Sequence, residues 1–143
     1  MKIRKAKVSD VNEIHMIGRK VKEFRVDPKI SGFWSKKQLE EWIKSKSDVF
    51  LIAENKGAIV GFLMFAHHVP TGKVTFENVW VDSKIRGDGI ASKLLKEGLK
   101  QLRKVGATYL CSLTKEDAIS SIKFQEKNNF QKGYKFLLVH RKI

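Results

Sequence analysis

Cysteine and proline are nearly missing from this chain: one cysteine and two prolines in 143 residues. With Cys111 alone, no disulfide can close within the chain and no cysteine cluster can hold a metal. Apolar runs are short, none long enough to cross a bilayer. The charged start Met1-Lys2-Ile3-Arg4-Lys5 is not followed by an apolar signal core, so a cytoplasmic protein without a membrane role is expected. Acidic residues are also few. Lys and Arg number 29 against 15 Asp and Glu, for a formal charge of +14. A field of that sign attracts anions and speeds their capture, whether a polyanionic cofactor, an acidic protein or nucleic acid. The lysines are spread through every segment, as on a solvated surface, rather than gathered in a tail. No nucleic-acid motif is present, and no strand interleaves aromatic residues with a basic stripe. The acids are too few for the ion-pair networks of a heat-adapted protein.

What is present reads as one domain, residues 1–143, around a single core. Ile3 to Val8 has the pattern of a first strand. Ser9 or Asp10 then caps a helix with Val11, Ile14, Ile17, Gly18, Val21 and Phe24 on its apolar side. Asp27-Pro28-Lys29-Ile30-Ser31-Gly32 breaks it. Ser35-x-x-Gln38 is a capping box for a second helix through Leu39, Trp42 and Ile43. Val49 to Glu54 and Ala58 to His67 are strands joined by a tight turn at Asn55-Lys56-Gly57. Pro70-Thr71-Gly72 turns the chain into a third strand of this run, Lys73 to Val81. A long helix follows, with Ala91, Leu94, Leu95, Gly98, Leu99, Leu102 and Val105 on one face and Gly106 as its stop. Thr108 to Leu113 reads as a strand. Lys115 to Asn128 reads as a helix ended by Asn128-Asn129, and Tyr134 to Arg141 as a last strand. The class is α/β (α+β).

The stretch from Val79 to Leu95 organises the rest. It is a β-branched strand end, then Arg86-Gly87-Asp88-Gly89-Ile90-Ala91, then the long helix. Such a turn leaves backbone N–H groups unpaired at the positive end of a helix dipole, a site for phosphate or pyrophosphate. Gly87 and Gly89 remove side chains that would block an anion, and Arg86 adds a charged donor at the lip. The spacing is neither the dinucleotide fingerprint nor a Walker loop.

Arg86-x-x-Gly89-x-Ala91 resembles the acetyl-CoA motif Arg/Gln-x-x-Gly-x-Gly/Ala of the GNAT superfamily of N-acetyltransferases. The order of elements along nearly the whole chain is similar to that family's, and so is the opening Ile3-Arg4-Lys5-Ala6-x-x-x-Asp10. The resemblance implies a mixed, mostly antiparallel sheet with helices on both faces, splayed where the pantetheine arm of the cosubstrate inserts like an extra strand. It implies a cofactor site at Val79, Trp80 and Val81, with Val79 and Val81 giving backbone groups. Arg86, Gly87, Asp88, Gly89, Ile90, Ala91 and Ser92 complete it, the amides from Gly87 to Ser92 holding the pyrophosphate, and Ser121 and Phe124 lie on the last helix. The implied reaction moves an acetyl group directly from acetyl-CoA to a primary amine, on a protein N-terminus, a lysine or a small molecule, without a metal.

That reaction needs a neutral amine, a stabilised thioester oxyanion and a proton for the thiolate. Glu77 is the candidate base, and strand alternation puts it on the face of Val79 unless a bulge resets the phase. His67 and His68 are alternative bases, although a His pair at a hairpin edge fits a structural role. The last helix departs from the family's Asn-x-x-Ala-x-x-Phe/Leu-Tyr-x-Lys-x-Gly-Phe. Phe124, Lys127 and Phe130 fit, but Ala118 stands for the Asn, Asn129 for the Gly, and Gln125 for the Tyr that protonates the thiolate. Gln125 can donate a hydrogen bond but is not an acid, so Tyr134, Tyr109 or Cys111 is left to supply the proton, or the thiolate leaves by another route. Cys111 itself reads as a packing group rather than a nucleophile.

Phe24, Phe33 and Trp34 could bound an acceptor groove, or pack in the core. The basic surface suits an acidic acceptor and weakly disfavours a polyamine. The family often ends in a two-strand hairpin, of which only Tyr134 to Arg141 is evident here. The acceptor side is then either open or completed by a second subunit, so a monomer or a homodimer is expected. Two other readings compete: a CoA-binding module that has lost catalysis, which Gln125 favours, and a basic nucleic-acid-binding domain.

Overall fold

A computed structural model of the chain describes residues 1–25 and 32–141. Five strands form one sheet in chain order: β1 (Lys2–Lys5), β2 (Val49–Asn55), β3 (Ala58–His68), β4 (Lys73–Val81) and β5 (Tyr109–Cys111). The first three pairings are antiparallel and β4–β5 is parallel. Four α-helices accompany them among the described residues: α1 (Val11–Lys20), α2 (Lys36–Lys44), α3 (Ile90–Lys104) and α4 (Ile119–Lys127). None is long and apolar enough to cross a membrane. The chain divides into two compact units, Met1–Leu113 and Thr114–Ile143.

In the first unit, strand alternation splits β2 and β3 between two cores. Phe50, Ile52, Phe62 and Met64 meet Val11 and Ile14 of α1 and Leu39 of α2. On the opposite face α3 lies over β2 and β3. It approaches closely because Gly98 has no side chain: a Cβ there would stand 2.6 Å from Phe65 Cε2. The helices therefore cover both faces, as the family resemblance implies.

The capping box at Ser35 forms as read, with Gln38 N–H donating to Ser35 Oγ and Ser35 N–H donating to Gln38 Oε1. The β2–β3 turn places Lys56 and Gly57 at positive φ, 48° and 83°, the geometry of a tight hairpin. Gly106 ends α3 at φ 79° and Asn129 follows α4 at φ 65°, both in left-handed stop conformations.

Several expectations are corrected. The first strand stops at Lys5, and Val8–Asp10 is a 3₁₀ turn. Asp10 does not cap α1 forward. Its carboxylate turns back to accept from Lys7 N–H (2.7 Å) and from both Arg4 Nη atoms. The helix ends at Lys20, and Lys22–Phe24 forms a separate 3₁₀ turn. The break expected at 27–32 lies outside the described residues except for Gly32. β5 is shorter than the span 108–113, and α4 begins four residues later than Lys115. The last strand, 134–141, is not formed. Tyr134, Phe136, Leu137 and Val139 are exposed and irregular. Their β-forming side chains express that preference only beside a partner strand.

Candidate active site

The pairing of β4 creates the site. Its β3 edge is hydrogen-bonded nearly throughout, but on the other edge β5 reaches only Lys73, Val74 and Thr75. From Phe76 to Val81 no strand continues the sheet on that side among the described residues. Asp82 N–H turns toward β3, donating to Val60 O at 2.9 Å. Backbone groups of alternate residues point to opposite edges, so those of Val79 and Val81 face the open one. Arg86 confirms this direction: its Nε donates to Val81 O at 3.0 Å. The Arg86 guanidinium is thus tethered to the strand end, just before the glycine loop.

The loop then presents a bare helix terminus. Gly87 and Gly89 have φ of 99° and 73°, and a Cβ at either would meet no atom within 4 Å. Packing does not require these glycines; the left-handed backbone does, and the space beside them is open. Gly89 stands before α3 with no side-chain cap, and the first turn of α3 has no acidic residue. Lys93 N–H is the first to close a helical bond, to Gly89 O at 3.0 Å. The N–H groups of Ile90, Ala91 and Ser92 therefore face the end of a 15-residue helix dipole without intrahelical partners. Ile90 is buried and anchors the terminus, while Ala91 and Ser92 are half-buried and Asp88 is exposed. The strand end, Arg86, the glycines and the first turn of α3 thus follow one another along the chain.

Glu77 sits at an irregularity. Met64 pairs with Asn78 but Phe65 pairs with Phe76, so Glu77 is an extra residue with no partner on β3. This bulge breaks the simple alternation that put Glu77 on the face of Val79. Past it, Val79 and Val81 pair with Leu63 and Gly61, and Asn78 and Trp80 with Met64 and Phe62. Trp80 stacks on Phe62 at 5.7 Å, so its side chain serves the α1–α2 core. Glu77 is half-buried and has no ion pair among the described residues, and burial pushes its carboxyl up from the ordinary value. A desolvated, unpaired carboxylate at a sheet bulge is suited to taking a proton.

The alternative bases lie at the far end of the β3–β4 hairpin, where His67 pairs with Val74 and His68 with Lys73. His67 is buried with neither ring nitrogen hydrogen-bonded. His68 is exposed, its Nδ1 2.8 Å from Thr71 Oγ1. Cys111 is half-buried on β5, its Sγ 3.6 Å from Val74 O, as a packing group would be. In the second unit, Ser121 and Phe124 are half-buried on α4. Gln125 donates from Nε2 to Thr114 Oγ1 at 2.7 Å. Tyr109 and Tyr134 are both exposed.

The partner of Trp34 is not evident from the sequence. Its Nε1 donates to Asn78 Oδ1 at 2.9 Å, linking the segment before α2 to the residue after Glu77. No local pattern announces a bond across 44 residues. A groove lined by Trp34, Gln38, Glu41, Trp42 and Asp48 lies beside α2. The spacing of Gln38, Glu41 and Trp42, three and four residues apart, marks one helix face and was the available signal.

Solved structures of acetyl-transferring enzymes have this fold. Aminoglycoside N-acetyltransferase AAC(6')-Iy in complex with CoA superposes with a TM-score of 0.73 at 19% identity, covering 99% of this chain and 100% of that one. Ribosomal-protein-alanine N-acetyltransferase from Brucella melitensis gives 0.74 at 21% identity, covering 92% of this chain and 85% of that one. The ribosomal-protein-S18-alanine N-acetyltransferase from Escherichia coli gives 0.71 at 17%, covering 93% and 79%. At these identities the likeness is one of fold. Among curated proteins no sequence matches. The class is therefore the acetyltransferase fold, with a strand edge and helix terminus open together. The chain belongs to the acetyltransferase (GNAT) family, whose model it matches over residues 19–130.

Proposed function

We propose that the chain, acting as one domain over residues 1–143, moves an acetyl group from acetyl-CoA to a primary amine. The observation that carries this reading is the open edge of β4 leading, through a 3₁₀ turn and the glycine loop, to the uncapped terminus of α3. Family membership and the CoA bound to a protein of the same fold support it.

In this reading the pantetheine arm lies along Val79, Trp80 and Val81, bonded to the backbone of Val79 and Val81. The N–H groups from Gly87 to Ser92 take the pyrophosphate, with Asp88 exposed in the loop and Arg86 at its lip. The amine nitrogen attacks the thioester carbonyl. A C–N bond forms, the C–S bond breaks, and the amine's proton passes to Glu77 directly or through water. The departing thiolate takes a proton from water. Gln125 is not an acid, but a thiol of pKa about 8.5 leaves readily near neutral pH. The same Gln125 carries a second reading, a CoA-binding module without turnover.

Calorimetric titration with acetyl-CoA, followed by thiol release with a panel of amines and N-terminal peptides, tests both. Binding with amine-dependent thiol release establishes the transferase. Binding with no release from any amine favours the module, and no binding removes both.

A further inference from the structure

The groove beside α2 reverses the charge of the molecule. Lys and Arg number 29 in the chain, yet none among the described residues lines this open groove of about 270 Å³, which is formed by Trp34, Gln38, Glu41, Trp42 and Asp48. The two indoles meet edge to face at 5.1 Å. Both of their N–H donors are already used, Trp34 on Asn78 Oδ1 and Trp42 on Phe65 O at 3.0 Å. The rings therefore offer π surface and no donors. The remaining polar groups include two carboxylates. Asp48 is fixed by accepting His67 N–H on Oδ1 at 2.7 Å, and its Oδ2 has no partner among the described residues. Glu41 is exposed and unpaired there, whereas the lysine at the end of α2, Lys44, is turned to Glu40. Fixed aromatic faces with free carboxylates attract an organic cation and give a neutral group no comparable gain.

We propose that this groove holds a positively charged part of the acceptor, so that the substrate class is a small amine bearing a second cationic group. The proposal rests on the transferase reading above and deepens it. Trp34 ties the groove through Asn78 to the bulge that carries Glu77, so a cation held at the indoles leaves the molecule's other amine near that strand. The local sign thus outweighs the basic surface, which on its own suits an acidic acceptor.

Agmatine, with an amine at one end and a guanidinium at the other, is the probe, and 4-amino-1-butanol is its counterpart lacking the second charge. Tryptophan fluorescence and calorimetry read their binding without acetyl-CoA. Agmatine is expected to bind at least roughly tenfold tighter, and Glu41→Gln to weaken it about five- to tenfold at low salt. The exposed Glu41 makes the variant structurally mild, and its acetyl-CoA affinity should equal that of wild type. Equal affinities for the two amines, or an agmatine affinity indifferent to Glu41→Gln, overturns the groove. Agmatine binding that depends on Glu41, with no acetyl transfer to any amine, keeps the cation site and overturns its role in transfer. Equal transfer to both amines keeps the transferase and overturns the groove.

Discussion

Ser92→Asp separates the proposed cofactor site from the fold. Ser92 is the third residue of α3, half-buried, in a first turn with no acid and no side-chain cap. A carboxylate there complements the helix dipole and should stabilise the protein by about 0.3–1 kcal/mol. The same carboxylate opposes a phosphate seated on the N–H groups of Ile90, Ala91 and Ser92. With the two charges roughly 6 Å apart and an effective dielectric near 20, the repulsion is about 3 kcal/mol. That corresponds to roughly a hundredfold loss of acetyl-CoA affinity, shrinking as salt is added. Ser92→Ala, which adds no charge, should bind within about threefold of wild type, because a hydroxyl hydrogen bond is worth about 1 kcal/mol or less. Calorimetry reads the affinity and thermal denaturation the stability. An unchanged melting temperature with acetyl-CoA bound as tightly as by wild type would refute the placement of the pyrophosphate at this terminus.

Glu77→Gln should lower turnover while leaving acetyl-CoA affinity intact, and wild-type rates across the pH range would remove Glu77 from the mechanism. Because burial raises the folded carboxyl above its unfolded value, ionising it costs stability: stability falls as pH rises through the folded value. Denaturant melts at neutral pH should therefore find Glu77→Gln as stable as wild type or more so, and a clear loss would show that the carboxylate is a structural partner. In assays of the proposed acetyl transfer, the acid limb of kcat/KM should fall above the ordinary carboxylate range of about 4.3. Gly98→Ala puts a methyl group 2.6 Å from Phe65 Cε2; overpacking should exceed the gain in helix propensity and cost about 1–2 kcal/mol in a denaturant melt. Arg4→Gln leaves the buried Asp10 carboxylate without its bidentate partner and should cost about 3 kcal/mol. Burial pushes the Asp10 carboxyl up, but Arg4 and Lys7 N–H more than offset it and hold it below the ordinary value. Its stabilisation is present above the unfolded carboxyl value and lost as pH falls through the lower folded one, so acid unfolding of Arg4→Gln should begin at higher pH than in wild type.

The legible parts of the fold were those with local signals. The capping box at Ser35, the turn at Lys56-Gly57, the stop at Gly106 and the leucine face of α3 are each written within a few adjacent residues. The open terminus at Gly89 was legible for the same reason, since glycine spacing and helix periodicity both lie in one stretch. What failed depended on partners far along the chain. Tyr134 to Val139 has the composition of a strand but forms none. Asp10 looks like a helix cap until Arg4 and Lys7 claim its carboxylate. The bulge at Glu77 arises from a register shift against β3, so no reading of β4 alone sets the side on which Glu77 lies. From the sequence Trp34 either bounds an acceptor groove or packs in the core; the groove's acidic lining joins α2 to the start of β2 and emerges only when they fold together.

The most direct test follows the acetyl group itself. The protein is incubated with carbon-13-labelled acetyl-CoA and a panel of primary amines, and the label is followed by NMR. The label is expected to leave the thioester and appear as an amide on an amine, with one free thiol released for each amide formed. Label that stays on the thioester, or emerges only as acetate whatever amine is present, would contradict the transferase reading.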